Sequence, residues 1–256
     1  MTDRLDDLKA AFVFGTRLPV KAPDPFPPLG ESLRVFPIVG AAVGLISGAL
    51  LVVLLALGVP AVPAAVVTVF LEIALTGALH EDGLADFTDG AWGGRDREAK
   101  LAIMKDSRVG PYGVLALAFS VLARVTTLGA IAGSAGGAAA AAALVAAASL
   151  SRTLPVALLH RLEPARNEGR SIEAGRPSRA AMNEALAWGL GLAALVLLPV
   201  AGFWSFLATL LAAPIPYAAV SRTALKHLGG QTGDVAGASQ QAGEIAVMLV
   251  LSAMMR

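Results

Sequence analysis

The sequence predicts an all-α, polytopic membrane helix bundle of about seven transmembrane helices with a cytoplasmic N-terminus, and three observations predict it. First, the chain is 56% hydrophobic and 15% charged with a mean hydropathy of +0.69, too apolar for a soluble domain of 256 residues. Second, apolar runs long enough to cross a bilayer recur at 36–58, 60–80, 112–132, 137–159, 184–200, 202–221 and 236–255. Third, the cations fall in alternate connections. Arg4, Lys9, Arg17, Lys21 and Arg34 precede the first run, and Arg95, Arg97, Lys100, Lys105 and Arg108 follow the second. Arg161, Arg166, Arg170, Arg176 and Arg179 follow the fourth, and Arg222 and Lys226 lie at the end of the sixth. The turns near 58–60, 133–136 and 199–202 carry none, so the basic connections are expected in the cytoplasm and only Arg256 at the outer end.

A single integral membrane domain is expected over 1–256. Its cytoplasmic lead, 1–35, is an amphipathic stretch, LDDLKAAFVFGTRLPV, and then a turn through Pro23, Pro25, Pro27 and Pro28 that forbids a continuous helix and suits the membrane surface. The polar first nine residues are unlike a cleavable signal. Gly40, Gly44 and Gly48 repeat every four residues in the first run, and the Ala-rich stretch 134–149 reads as a helix rather than a linker. Both suit close helix packing in lipid, and such stripes also permit a homo-oligomer. Gly58 and Pro60 turn the first run into the second. Glu72 sits on the order of 12 Å inside that second run, where an ionisable group calls for a partner; Arg124 and Arg152 are the cations deep within apolar runs. Trp92, Trp188 and Trp204 suit interface belts. Without cysteine there is neither a disulfide nor a thiolate metal site, and a net charge of +1 gives no reason to expect nucleic acid as a partner.

The chemistry collects in 79–113, LHEDGLADFTDGAWGGRDREAKLAIMKDSRVGPYG, which sets His80, Glu81, Asp82, Asp86, Asp89 and Asp106 between two apolar runs. On a helix, Asp82, Asp86 and Asp89 at spacings of four and three share a stripe roughly 60° wide. Carboxylates that close repel, so a cation is expected among them; hard oxygen donors suit Mg²⁺, whose other positions go to water and substrate phosphates. Gly83 and Gly90, beside the stripe, would let a ligand approach the backbone. The same face of the membrane receives Asp106 and Arg108 ahead of the third run, and Asp234, Gln241 and Glu244 at the start of the seventh. His80 could act as a base or donate to phosphate. No dinucleotide fingerprint, Walker loop, zinc-protease motif or serine-nucleophile motif occurs, so phosphoryl chemistry fits this collection best.

The runs GALHEDGLADFTDG, LAIMKDSRVGPYG and LGGQTGDVAGASQQAGE, with TRLPV at 16–20, LRVFPIVG at 33–40 and PARNEG at 164–169, resemble the adenosylcobinamide-GDP ribazoletransferase family, the membrane-bound cobalamin (5′-phosphate) synthases. The resemblance covers nearly the whole chain; Glu81 departs from it, standing where an apolar residue is expected. It implies a Mg²⁺-dependent transferase of the bacterial inner membrane whose active site faces the cytoplasm. The 5′-hydroxyl of α-ribazole, or of its 5′-phosphate, would attack the β-phosphorus of adenosylcobinamide-GDP and release GMP. Carried onto this chain, the resemblance makes Asp82, Asp86 and Asp89 metal ligands supported by Asp234 and Glu72, and these same three with Asp106 and His80 the catalytic candidates. Lys105, Ser107, Arg108, Arg166, Arg17, Arg34 and Gln241 become candidates for holding substrate phosphates.

Two other readings compete. A CDP-alcohol phosphatidyltransferase begins its motif with DxxDG, as at 86–90, but the alanine-arginine pair and the later GxxxDxxxD are missing. A cation-coupled transporter would place acids near the bilayer midplane, and here only Glu72 lies deep.

Overall fold

Small residues let helices approach most closely, and the glycine and alanine runs of this chain build the centre of its fold. The computed structural model describes residues 4–255, and for Arg170 only the backbone; the expected outer cation Arg256 lies outside the described residues. In order the helices are α1 (Arg4–Gly15), α2 (Leu29–Ser32), a 3-10 turn (Leu33–Val35), α3 (Phe36–Ala56), α4 (Ala61–Thr76), α5 (Leu79–Gly93) and α6 (Arg97–Ile103). They continue as α7 (Pro111–Ser134), α8 (Gly137–Ser151), α9 (Thr153–Arg161), α10 (Arg170–Ala174), α11 (Arg179–Ala212), α12 (Pro214–Leu228) and α13 (Gly233–Met254), with no strand among the described residues. The Ala-rich stretch is a helix, α8, and it packs on the glycine face of α3. A Cβ on Gly44 would come within 2.8 Å of the Leu144 carbonyl oxygen and one on Gly48 within 2.9 Å of Ala141 Cβ, while one on Gly40 would run into the Ala148 carbonyl. That stripe is consumed inside the chain and is not free for a second subunit.

Among the described residues four stretches are long and apolar enough to cross a membrane, Leu29–Ala56, Pro111–Ser134, Gly137–Arg161 and Arg179–Leu228, or five if α4 and α5 count together. The expected runs at 184–200 and 202–221 both fall within Arg179–Leu228, whose first helix breaks at Gly202 (φ 77°, ψ 175°) just after Pro199. The run at 236–255 lies in α13, outside those four or five. Large apolar side chains point outward around the bundle: Leu57, Phe70, Phe119, Leu195, Trp204 and Ile215 are 70–75% exposed. Together with the apolar helices this makes the chain an integral membrane protein.

The second run does not continue into the acid stretch as a straight helix. α4 ends at Thr76 and α5 leaves it at 88°. Gly77 (φ 63°) and Ala78 (φ 57°) both take the left-handed conformation, and the Ala78 amide donates to the Ile73 carbonyl at 2.9 Å to close the end of α4. The acids thus ride on a helix of their own.

Two apolar clusters fill the interior, one around Phe36, Leu158, Leu228 and Val235, the other around Leu51, Leu128, Ile131, Leu197 and Leu251. Buried together and lining one small internal space are Arg124 of α7, Arg152 at the α8–α9 junction, and Gln240, Gln241 and Glu244 of α13. A polar layer crosses the bundle there.

Candidate functional site

Asp82, Asp86 and Asp89 sit on one face of α5, as their spacing requires, but they are not equivalent. Asp82 is exposed, Asp86 half-buried and Asp89 buried. Asp82 and Asp86 line a cavity of about 420 Å³ together with His80, Lys105, Arg166 and Asp234. Asp89 faces α7 instead: its two carboxylate oxygens accept from the Gly110 amide at 2.7 Å and the Gly113 amide at 2.9 Å. There it fills the role of a capping carboxylate at the positive end of a long helix.

Asp234 reaches the cavity because α5 and α13 touch through glycine. A Cβ on Gly83 would lie 3.0 Å from the Asp234 carbonyl oxygen, and one on Gly237 3.3 Å from Gly83 Cα. Gly90 likewise faces Met104 and the Lys100 carbonyl. The expectation that both glycines leave room for a ligand is corrected for Gly90, which admits neighbouring protein; Gly83 lines the cavity and also admits α13, and that close approach is what sets Asp234 across from α5. Thr232 caps α13, its hydroxyl accepting from the Val235 amide at 3.3 Å.

Arg166 donates to Asp234 at 3.1 Å. Their two loops are sewn together: the Ala165 amide donates to the Gln231 carbonyl and the Gln231 amide to the Glu163 carbonyl, each at 2.8 Å. Arg97 spans the same seam, donating to the Leu228 carbonyl at 2.8 Å and to that of Ala165. Lys105, on the cavity rim, pairs with Glu168.

The other sequence candidates lie elsewhere. Asp106 and Arg108 pair with each other at 2.6 Å on an exposed loop, and Ser107 is exposed between them. The hydrogen bonds from the Arg108 side chain and backbone lower the Asp106 pKa to about 2. Arg34 binds Asp7 at 3.3 Å and the Glu31 carbonyl at 3.0 Å, which ties the lead segment down. The Arg17 amide donates to the Leu75 carbonyl at 2.7 Å and its side chain lies against Gly77.

Glu72 and Gln241 belong to the polar layer. Arg124 is its hub, 3.1 Å from Glu72, 2.7 Å from Glu81 and 3.0 Å from Glu244. Gln241 donates to Glu81 at 3.2 Å and accepts from Ser120 at 2.7 Å, and Gln240 donates to Glu244 at 2.6 Å. Of the two partners expected for Glu72, Arg124 binds it, whereas Arg152 donates to the Ala148 carbonyl at 3.0 Å and lies 5.8 Å over the Phe36 ring. Glu81, which departs from the expected apolar residue, is here a buried partner of Arg124. His80 lies between layer and cavity, with its Nε2 unpartnered among the described residues.

Among the described residues no three His, Asp or Glu side chains are grouped closely enough to hold a metal ion alone. The donor set still fits Mg²⁺, which takes one or two carboxylates and completes its shell with water and phosphate oxygens: Asp82, Asp86 and Asp234 share one cavity, with cationic side chains at its edge.

The model of the cobalamin-5-phosphate synthase family matches residues 7–252. Among curated proteins, one from Azorhizobium caulinodans is 45% identical over 251 residues, 96% of this chain and 94% of its own. One from Xanthobacter autotrophicus is 44% identical over 254 residues, 96% of each chain, and one from a Sinorhizobium species 42% identical over 258 residues, 98% and 97%. Each of these relatives is an adenosylcobinamide-GDP ribazoletransferase. No solved structure matches the chain.

Proposed function

We infer the activity from the premise that this chain belongs to the cobalamin-5-phosphate synthase family: it is a transferase that joins α-ribazole, or its 5′-phosphate, to adenosylcobinamide-GDP and releases GMP. This is the closing step of nucleotide-loop assembly in cobalamin biosynthesis. The family match does not favour the phosphatidyltransferase or transporter readings.

In the reaction a ribose hydroxyl oxygen forms a bond to the β-phosphorus, the bond to the α-phosphate oxygen breaks, and GMP departs with that electron pair. The nucleophile is not the 5′-oxygen expected from the sequence. An acceptor that keeps its 5′-phosphate in the product has that oxygen already esterified, so a secondary ribose hydroxyl attacks. The observation that carries the assignment to this cavity is the meeting of Asp82, Asp86 and Asp234 with Arg166 and Lys105 around one space. Arg166 and Lys105 are placed to hold pyrophosphate oxygens, the first by a planar fork of donors, the second as a point charge. Asp86, half-buried between Asp82 and Asp234, is the proton acceptor we favour. Asp106 is a poor one, since a carboxyl lowered to about 2 is a weak base at neutral pH. Asp82 and Asp234 would hold Mg²⁺ beside Asp86. When bound, the ion supplies positive charge to the bridging and leaving phosphate oxygens.

We place the site on the cytoplasmic side of the bacterial inner membrane. The supporting observation is that the cavity draws Lys105 and Arg166 from the two most basic connections, which the positive-inside rule keeps in the cytoplasm.

The direct test is GMP release by purified protein given adenosylcobinamide-GDP and α-ribazole, with Mg²⁺ and after chelation. Release that depends on both substrates and stops on chelation is expected. Asp82→Asn should abolish it while the protein still elutes as a folded species in detergent; wild-type turnover by that variant would remove Asp82 from the mechanism.

A further inference from the structure

The cavity has a second wall that the phosphoryl chemistry does not use. Beside the charged groups, Phe14, Leu33, Phe36, Leu79, Pro155 and Leu159 line it, and their side chains are hydrocarbon throughout. They arrive from α1, the 3-10 turn, α3, α5 and α9, so five separate elements converge to make this surface. It is also firmly held: Leu33 and Phe36 are 2% exposed and belong to the buried cluster that also contains Leu159. The Phe36 ring is buried and covered by Arg152 and His80, so the partly buried Phe14 ring, 5.9 Å from it and tilted by 52°, is the aromatic surface left for a ligand.

On the transfer reading, on which this inference rests, three parts of the substrates carry enough apolar surface to occupy the wall: the corrinoid, the guanine and the base of the acceptor. At about 420 Å³ the cavity is near the small end of ligand pockets, sized for a nucleoside and too small for a corrinoid. Guanine carries donors and acceptors around its edge, and six hydrocarbon side chains offer them no partner. His80, beside Phe36 at 6.0 Å between ring centroids, offers a single unpartnered nitrogen, too few for such an edge. The dimethylbenzimidazole of α-ribazole has a hydrocarbon outer edge and one free ring nitrogen. Its demands match the wall.

We propose that the Phe14–Phe36 wall is the subsite for the heteroaromatic base of the acceptor nucleoside, which points the ribose hydroxyls toward Asp82 and Asp86 and favours apolar-edged bases over purines. The wall then sets acceptor choice, while Arg166 and Lys105 serve the donor.

The test compares wild type with Phe14→Leu, and with Phe14→Met should the first variant fold poorly, in detergent with donor and acceptor varied separately. Phe14→Leu is expected to raise the KM for α-ribazole about tenfold, to move the KM for adenosylcobinamide-GDP less than twofold, and to narrow the preference for α-ribazole over its adenine counterpart. Calorimetric titration of α-ribazole without donor should show the same weakening. An unchanged acceptor KM, or a donor KM that rises as far, overturns the subsite while leaving the transferase assignment standing. A wild-type protein that releases no GMP overturns the assignment itself, and the subsite with it.

Discussion

Asp86 and Asp89 are three residues apart on one helix face and do different work. Asp86→Asn removes a cavity carboxylate, so transfer should fall by at least about a hundredfold with the melting temperature unmoved. Asp89→Ala strips the acceptor from two amides at the start of α7, and thermal unfolding in detergent should show a loss of about 1–2 kcal/mol. If Asp89→Ala melted like wild type, its capping role would be refuted. Sequence spacing made the stripe legible and could not separate its members, because the amides that occupy Asp89 lie beyond residue 109 on another helix. Glu81 was legible only as an anomaly. Its partner Arg124 is 43 positions along the chain, and a buried ion pair across that distance leaves only two isolated charges in apolar surroundings. Arg124→Met exposes three buried glutamates to one another, and a loss of about 3–5 kcal/mol is expected. Adding Glu81→Gln should recover part of it, and simple additivity in a double-mutant cycle would argue that the two do not interact.

At the scale of the element, the elbow between α4 and α5 decides where the acids go. A straight helix continuing from Glu72 would carry Asp82 about 15 Å farther along its axis; two left-handed residues turn it aside instead. Glycine at 77 is a readable stop signal, but alanine at 78 is not, since its φ of 57° runs against its own preference at roughly 1–2 kcal/mol. Ala78→Gly relieves that cost and adds back some unfolded-chain entropy, so a rise in stability of about 0.5–1 kcal/mol is expected. Ala78→Val should lower it, and equal melting temperatures for the two would show that the left-handed turn is not held in the native protein. The break in Arg179–Leu228 was easier to anticipate, because Pro199 and Gly202 announce it together.

For the whole molecule, composition already fixed the environment and the all-helical class. What it left open was how many helices cross, since α13 mixes a membrane-length helix with Gln240, Gln241 and Glu244, whose side chains bond Ser151, Glu81 and Arg124 of other helices. The contact of α3 with α8 has no slack: Gly44→Leu should cost about 1–3 kcal/mol through overpacking, seen as reduced recovery of folded protein, whereas Leu195→Ala on the outer face should cost little. The orientation has its own check. An N-terminal tag should be protected from protease in intact spheroplasts, and cleavage there would invert the topology. Finally, the seam between residues 163–165 and 231 joins the loop of Arg166 to the loop of Asp234 by reciprocal backbone bonds. An incoming pyrophosphate that draws the guanidinium off the carboxylate works against fixed hinges on both sides. Such a clasp opens by swinging two side chains apart, so ligand entry exchanges one ion pair for another at nearly constant backbone shape.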